Sequence, residues 1–172
     1  MPNSNAITIS PLHEYEVEVV SDLIFHAMQG YDQSGKVIGA VIRRIENIRT
    51  TYTSYGAMYF VARDTLNENK PVAGAGIGSL HGLPVSEGMG ELRDLVVSKN
   101  YRGLGLGAKL IHACIEKSKE VGYEKLYLET TPQMKVAQKL FLRTGFRPIE
   151  DTSSESENGD IASYFILENL KT

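Results

Sequence analysis

Cysteine is nearly absent from the sequence, which contains only Cys114. A lone cysteine excludes an intramolecular disulfide and any zinc site built from several cysteines. The four histidines show no spacing typical of metal ligands. Cys114 itself falls on the apolar side of a predicted helix, so we expect it to be buried as a small hydrophobic residue. The sequence therefore predicts neither a disulfide-stabilised fold nor a metal site.

Long apolar runs and an excess of positive charge are also missing. No run approaches the roughly 20 apolar residues that a membrane-spanning helix needs. The net charge is −3, whereas a nucleic-acid-binding protein usually carries a basic stripe. The first ten residues are polar and lack the basic-then-apolar pattern of a signal peptide. We therefore expect a cytoplasmic protein with no membrane and no nucleic-acid partner.

The length of 172 residues fits one domain over residues 1–172, and no repeat or low-complexity linker divides it. Apolar periodicity predicts the elements in the order β-α-α-β-β-β-α-β-α-β-β, which indicates an α+β fold with helices on both faces of a sheet. The predicted strands are residues 6–10, 57–62, 72–77, 92–97, 126–130, 146–149 and 161–167. The predicted helices are residues 13–29, 37–48, 108–121 and 134–143.

The segment after the predicted strand 92–97 alternates glycine with larger residues. It contains, in order, Arg102, Gly103, Leu104, Gly105, Leu106, Gly107 and Ala108. Glycines let backbone N–H groups approach an anion closely, and the following helix adds its unpaired N–H groups and the positive end of its dipole. Arg102 adds a charge-assisted contact. The segment therefore predicts a loop that binds a pyrophosphate.

Other interpretations of this loop are open. A plain turn without a ligand rarely needs three alternating glycines after an arginine. A P-loop requires Gly-Lys followed by Ser or Thr, which the segment lacks. A dinucleotide fingerprint fits formally, because residues 103–108 satisfy G-x-G-x-x-A and Glu129 ends the next strand. Against it, residues 98–101 separate the strand from the loop, and too few residues follow for that fold.

The segment resembles the GNAT superfamily of acetyl-CoA-dependent N-acetyltransferases, whose signature is Q/R-x-x-G-x-G/A after a strand. Arg102, Gly105 and Gly107 fill that pattern, and the resemblance extends over residues 91–97, 126–130 and 140–146. It implies a mixed, mostly antiparallel sheet of about six to seven strands with helices on both faces. It also implies acetyl-CoA as co-substrate and a primary amine, on a small molecule or peptide, as acceptor. The acetyl group would move by direct attack within a ternary complex, without a metal.

The resemblance also implies roles for individual residues. The strand before the loop would be bulged and splayed from its neighbour, so that the backbone of Leu95, Val96 and Val97 pairs with pantetheine. One of their N–H groups would polarise the thioester carbonyl. Residues 102–108 would hold the pyrophosphate, and Phe141 would lie beside the cofactor.

For the proton transfers, Glu91 matches the catalytic glutamate of the histone-acetylating branch and is the candidate base. An exposed glutamate at a strand end is the simpler interpretation, and Asp94 and Glu129 are lesser candidates. The tyrosine that often protonates the leaving thiolate is replaced by Phe141. Solvent, Tyr127 or Tyr164 would then supply that proton. The family's common asparagine after the second strand is also missing, with Thr131, Pro132 and Gln133 in its place.

Acceptor choice is less visible in the sequence. The acidic stretch 150–160 is most simply a solvated loop, but it also suggests attraction of a cationic amine. The segments 37–48 and 50–55 fall where this family shapes acceptor specificity, and His81 is a further candidate on that side. The main rival function is a non-catalytic acetyl-CoA-binding or regulatory module. A homodimer is common in such folds, although no feature of the sequence indicates one.

Overall fold

The computed structural model describes residues 2–29, 36–150 and 163–170. Its strands are β1 (Ile7–Pro11), β2 (Met58–Asp64), β3 (Lys70–Ser79), β4 (Met89–Val97), β5 (Lys125–Thr130), β6 (Arg147–Ile149) and β7 (Ser163–Leu167). Its helices are α1 (Val17–Gln29), α2 (Lys36–Glu46), α3 (Ile48–Thr51), α4 (Leu106–Val121) and α5 (Lys135–Arg143). This order matches the succession predicted from periodicity, except that a third helix, α3, precedes β2.

All seven strands join one sheet in the order β1-β2-β3-β4-β5-β7-β6. Neighbouring strands run antiparallel except β4 and β5, which are parallel. β4 and β5 are parallel because α4, which connects them, returns the chain to the end of the sheet where β4 began. The predicted mixed, mostly antiparallel sheet is therefore confirmed.

Helices cover both faces of this sheet. On one face, α1 and α3 bury Val20, Ile24 and Ile48 against Tyr59 and Val61 of β2. On the other face, α4 buries an apolar stripe against β2, β3 and β4. That stripe consists of Leu106, Leu110, Ile111, Cys114 and Ile115. Cys114 is fully buried, as expected, and burial raises the pKa of its thiol.

Three predicted helices begin or divide differently from the prediction. The predicted helix 13–29 starts with a 3-10 turn at Glu14–Glu16, and the α-helix proper begins at Val17. The predicted helix 37–48 is interrupted at Asn47, which separates α2 from the short α3. The predicted helix 108–121 begins two residues earlier, at Leu106, because Gly105 takes up the N-cap position in the left-handed conformation.

A buried ion pair fixes the start of α1 to the sheet. The Arg63 guanidinium donates to both carboxylate oxygens of Glu16, each at 2.6 Å, and also to the backbone carbonyl of Pro11. Both side chains are 6% exposed. Burial acts to raise the pKa of Glu16, but the hydrogen bonds from Arg63 and from the His13 N–H outweigh it, so the pKa is lowered. The pair therefore ties β1, α1 and β2 together.

No helix within the described ranges combines the length and apolarity needed to cross a membrane.

Candidate functional site

The two central strands β4 and β5 separate shortly after they begin. Their pairing covers Met89 with Lys125, Gly90 with Leu126, and Glu91 with Tyr127. Within the described residues no further pair joins them, although β4 continues to Val97 and β5 to Thr130. The space between residues 92–97 and 128–130, here called the β4–β5 cleft, therefore opens the middle of the sheet. The splayed strand that the GNAT resemblance implies is present.

A β-bulge lies on the β4 side of this cleft. Gly74 pairs with Val96 and Gly76 pairs with Arg93, so that Ala75 alone opposes both Asp94 and Leu95. Asp94 has φ of 49°, in the left-handed region. The extra residue shifts the alternation of side chains along β4. Leu92 and Leu95 both reach the core on the α4 face, whereas Val96 packs with α1 on the opposite face.

Two adjoining cavities fill the cleft and its surroundings. The bulge cavity, of about 400 Å³, lies over the bulge. Its lining is Met28, Arg44, Thr51, His81, Gly82, Glu91, Leu92, Arg93, Asp94, Leu95, Leu128, Glu129, Thr130, Thr131, Met134, Ala137 and Phe141. The loop cavity, of about 510 Å³, lies over the glycine loop. Its lining is Ala27, Met28, Leu95, Val96, Val97, Tyr101, Arg102, Gly103, Gly105, Leu106, Gly107, Ala108, Met134, Val136, Ala137, Lys139, Leu140 and Arg143. The linings of the two cavities share Met28, Leu95, Met134 and Ala137, and the adjoining cavities are here together called the groove.

The glycine loop meets the loop cavity at the N-terminus of α4. Gly103 and Gly105 have φ of 80° and 74°, and a Cβ added at either would meet no atom within 4 Å. The helix has no side-chain cap. Its first N–H groups and the positive end of its dipole are thus available to an anion that approaches over bare backbone.

Some residues of the glycine loop pack against the protein interior, whereas others are exposed at the loop cavity. Gly107 lies inside α4, and a Cβ there would come within 2.7 Å of Leu140. Its small size therefore serves the close packing of α4 on α5. Leu104 packs against the core, and among the described residues it is the one member of the loop that does not line the loop cavity. Arg102 is exposed, and its Nε donates to the carbonyl of Val97 at 3.2 Å.

Glu91 lies at the point where β4 and β5 separate. Glu91 lines the bulge cavity, and its carboxylate accepts a hydrogen bond from the Arg93 Nε at 2.8 Å. The side chains of Glu91 and Arg93 are 16% and 19% exposed. Burial acts to lower the pKa of the Arg93 guanidinium, but the charge of Glu91 and its hydrogen bond outweigh it and raise that pKa. Arg93 therefore stays charged and holds the Glu91 carboxylate in one position.

Phe141 borders the bulge cavity as part of an aromatic cluster. Its ring centroid lies 6.1 Å from that of Phe146 and 5.9 Å from that of Phe165. The two tyrosines named as substitutes for the missing acid stack on each other at 5.8 Å, Tyr127 being buried. No tyrosine is found among the described residues that line the bulge cavity. His81 and Glu129 do line it.

One hydroxyl of the bulge cavity has no partner. Thr131 is 8% exposed, and its Oγ1 is the one buried side-chain oxygen or nitrogen without a hydrogen bond among the residues that the structure describes. A buried unsatisfied hydroxyl is costly, so it marks a place where a ligand or water accepts or donates a hydrogen bond. Thr131 is the first of the three residues, with Pro132 and Gln133, that stand where the resemblance leads us to expect an asparagine.

Asp94 is surrounded by hydrogen-bond donors on the face opposite α4. Its Oδ1 accepts from the Arg44 Nε at 2.9 Å and its Oδ2 from the Tyr52 hydroxyl at 2.7 Å. Its backbone carbonyl accepts from the Tyr59 hydroxyl at 3.0 Å. Burial and the charge of Asp94 raise the pKa values of Tyr52 and Tyr59 well above the ordinary value, so both hydroxyls remain protonated donors.

The structure thus brings most of the predicted site residues into one groove. Apart from Leu104, the predicted cofactor residues line the loop cavity or, for Phe141, the bulge cavity, where Glu91 also lies. The sequence did not indicate Tyr59, and it marked Arg44 and Tyr52 only as members of segments where the resemblance places acceptor specificity. Alternating glycines in β3, at positions 74, 76 and 78, were a signal of close approach that could have pointed to them. The acidic stretch, except Glu150, lies outside the described residues.

Comparison with a family model gives a match over most of the chain. The model described as "Acetyltransferase (GNAT) family" matches residues 22–146. The matched range contains Glu91, the β4–β5 cleft, the glycine loop and Phe141.

Curated relatives match over shorter segments. The chain is 31% identical over 106 residues to the "Uncharacterized N-acetyltransferase YjgM" of Escherichia coli (strain K12), covering 62% of this chain and 60% of that protein. It is 30% identical over 100 residues to an "N-alpha-acetyltransferase" of Sulfurisphaera tokodaii, covering 56% of this chain and 60% of that protein. The match therefore spans about 60% of the length of each of these relatives.

Solved structures match over nearly the whole chain. An acetyltransferase of the GNAT family from Staphylococcus aureus Mu50 has a TM-score of 0.75 at 23% identity, with 95% of this chain and 99% of that chain covered. YncA from Salmonella typhimurium, solved with its cofactor acetyl-CoA, has a TM-score of 0.68 at 14% identity, with 94% and 93% covered. At these identities the likeness concerns the fold.

Proposed function

The chain belongs to the GNAT acetyltransferase family, and from that membership we propose that it transfers an acetyl group from acetyl-CoA to a primary amine. The observation that carries the proposal is the β4–β5 cleft, which leads from Glu91 to the glycine loop at the N-terminus of α4. One groove thus offers an anion site at one end and a carboxylate at the other. The acceptor would be a small molecule or the amino group of a peptide.

The residues of the groove fit acetyl-CoA. Gly103 and Gly105 present open backbone, and Arg102 is exposed beside them, which suits a pyrophosphate. The edge of β4 at Leu95, Val96 and Val97 has no partner strand on the cleft side in the described structure, which suits an extended pantetheine chain. The acetyl-CoA found with YncA of the same fold supports this assignment.

At the other end of the groove, we assign proton acceptance to Glu91. Acetyl-CoA supplies an acetyl thioester, and the nitrogen of the amine attacks its carbonyl carbon. That nitrogen must be uncharged when it attacks, so a base within hydrogen-bond reach has to remove its proton. Glu91 lines the bulge cavity, and Arg93 keeps its carboxylate oriented. We propose that Glu91 takes the proton directly or through one water.

A direct transfer without an acyl-enzyme fits the side chains present. Cys114, the one cysteine of the chain, is fully buried behind the sheet with a raised pKa. It is therefore neither accessible nor ionised enough to act as a nucleophile. Phe141 offers no proton to the leaving thiolate, so we propose that solvent entering along the groove provides it.

A thermal-shift measurement with acetyl-CoA, free CoA and NAD(H) tests the binding half of the proposal. A ligand at about 100 times its Kd adds roughly 2.7 kcal/mol of stability. For a domain of this size we expect a rise in Tm of about 5–10 °C with both CoA species and none with NAD(H). A shift with NAD(H) alone, or no shift with CoA, contradicts the assignment.

Turnover tests the catalytic half. Incubating the protein with acetyl-CoA and a panel of amines, including polyamines, amino acids and short peptides, should release free CoA thiol with at least one of them. Binding of acetyl-CoA without release by any amine would favour the non-catalytic module, for which the absence of a tyrosine at position 141 is the supporting observation.

A further inference from the structure

We propose that Asp94 is a positioning residue, clamped by Tyr52 and Tyr59 so that the β4 bulge keeps the shape on which acetyl-CoA docks. The inference rests on the proposed function for its catalytic consequence, but the clamp itself is a property of the protein without ligand. It assigns to Asp94 a task different from the proton acceptance considered for it from the sequence.

The two tyrosines reach Asp94 from different segments and bind different parts of it. Tyr59, on β2, donates to the backbone carbonyl of Asp94 at 3.0 Å. Tyr52, just after α3, donates to the carboxylate Oδ2 at 2.7 Å. Both rings are buried, and their centroids lie 5.0 Å apart. The main chain and the side chain of the bulged residue are therefore held at the same time.

Glycines in β3 make room for these rings. A Cβ on Gly74 would lie 2.5 Å from atoms of the Tyr59 ring, and a Cβ on Gly76 would clash equally with Tyr52. β3 lies between β2 and β4 in the sheet, so the Tyr59 hydroxyl has to cross it to reach Asp94, and the Tyr52 ring lies against it at Gly76. Only bare backbone at these two positions lets the rings lie flat across the strand.

Arg44 adds a connection to the helices. Its Nε donates to the Asp94 Oδ1 at 2.9 Å, and its side chain is 23% exposed at the bulge cavity. The Asp94 side chain is 2% exposed, although the whole residue is 8% exposed. The part of Asp94 that reaches the cavity is therefore largely backbone. With both carboxylate oxygens occupied by donors, Asp94 is poorly placed to take a proton from an amine.

The bulge needs such support because of its backbone conformation. A residue other than glycine at φ of 49° is strained, and such strain persists only where the surroundings enforce it. Directly after Asp94, Leu95 turns to the α4 face and lines both cavities. If the bulge relaxed, Leu95, Val96 and Val97 would exchange faces, and the β4 edge would no longer present the same groups to the cleft.

Tyr59→Phe tests the clamp, with Tyr123→Phe as a matched control. Tyr123 is also a fully buried tyrosine, and its hydroxyl donates to the backbone carbonyl of Gly56 at 2.9 Å. Each variant loses one hydrogen bond of the same kind, so we expect similar decreases in Tm. Amide hydrogen exchange without ligand should become faster over residues 94–97 in Tyr59→Phe, by roughly fivefold for one hydrogen bond. The control should leave that segment unchanged.

The same pair, with acetyl-CoA, tests the functional consequence. Tyr59→Phe should lower kcat/KM for acetyl-CoA by about fivefold to tenfold, while Tyr123→Phe stays within twofold of the unmodified protein. Equal exchange rates and equal kinetics in the two variants would overturn the proposal. If the unmodified protein binds no acetyl-CoA, the proposed function fails, and hydrogen exchange alone still decides whether the clamp exists.

Asp94→Asn separates positioning from proton transfer. Asparagine tolerates a positive φ and keeps the shape of the side chain, but it does not pair with the Arg44 charge. A positioning role predicts a lower kcat with the same apparent pKa values in the pH–rate profile. Loss of the ascending limb of that profile would show that Asp94 is the base, and it would overturn the proposal.

Discussion

The Arg93 guanidinium donates its Nε–H to the Glu91 carboxylate across 2.8 Å, at the position where β4 and β5 separate. Both side chains are on one strand, two residues apart, and both line the bulge cavity. The ion pair fixes a carboxylate at the end of the cleft where the pairing of β4 with β5 stops. Glu91 is therefore the group on which the proposed chemistry depends most.

Glu91→Gln should reduce turnover far more than binding. Glutamine keeps the size of the side chain but cannot accept the proton of the amine. We expect kcat to fall by about 10²-fold, the lower end of what a positioned base contributes, with acetyl-CoA affinity changed less than twofold. Glu116→Gln, at an exposed position on α4, is the control and should have no effect. Full turnover of Glu91→Gln across pH would show that another group takes the proton.

Gly105→Ala should weaken acetyl-CoA binding. Gly122→Ala is the control, because it introduces the same backbone strain at the other end of α4, away from the glycine loop. The two glycines cap opposite ends of α4 in the left-handed conformation, and an added Cβ meets nothing at either position. Each substitution should cost about 1 kcal/mol of stability through backbone strain. Only Gly105→Ala places a methyl group between an anion and the loop amides, so only it should raise the Kd for acetyl-CoA, by about tenfold. Equal Kd values for the two variants, measured by calorimetry, would show that the anion of acetyl-CoA does not bind at this loop.

Thr131→Val and Thr144→Val should have opposite effects. The Thr131 hydroxyl is buried without a partner, whereas the Thr144 hydroxyl donates to the carbonyls of Leu140 and Phe141 at 3.0 Å. Valine has nearly the same shape as threonine. Thr131→Val should therefore leave the free energy of unfolding unchanged or raise it, yet weaken acetyl-CoA binding about fivefold. Thr144→Val should lower stability by about 1 kcal/mol and leave binding intact. Unchanged affinity in Thr131→Val would mean that this hydroxyl does not meet the ligand.

The Glu16–Arg63 ion pair should make stability depend on acid pH. The pKa of Glu16 is lowered by folding, so its contribution is fully present above the unfolded value of about 4.3. It is lost as pH falls through the lower folded value. Glu16→Gln should cost about 3 kcal/mol in urea unfolding at pH 7, because it leaves Arg63 buried and unpaired. The difference between Glu16→Gln and the unmodified protein should shrink below about pH 4. Glu14→Gln, at an exposed position 3.8 Å from Arg49, should be neutral at every pH.

Sequence patterns predicted the helices and strands because each pattern depends only on residues that are close together in the chain. The 3.6-residue stripe of α4 and the apolar run of β2 are properties of neighbouring residues, and the structure confirms both elements. The open backbone at Gly103 and Gly105 likewise follows from glycine in a short turn. The family resemblance supplied the bulge and the separated strands, which no local pattern indicates.

The remaining features depend on contacts between distant residues. The hydroxyls of Tyr52 and Tyr59 reach Asp94 across 42 and 35 residues of sequence, and no spacing rule identifies such a pair. The sequence grouped Gly107 with the anion-binding glycines, but its small size is required by Leu140, on another helix. The missing proton donor at Phe141 was visible in the sequence. That neither Tyr127 nor Tyr164 lines the bulge cavity was visible only in the structure.

Hydrogen exchange of the unmodified protein, with and without acetyl-CoA, tests the central claim most directly. We expect acetyl-CoA to slow amide exchange in residues 95–97 on the open edge of β4 and in residues 103–108 of the glycine loop. Free CoA should protect the loop to a similar extent, and NAD(H) should protect neither segment. Protection elsewhere, or none at saturating acetyl-CoA, would contradict the assignment of the β4–β5 cleft as the acetyl-CoA site.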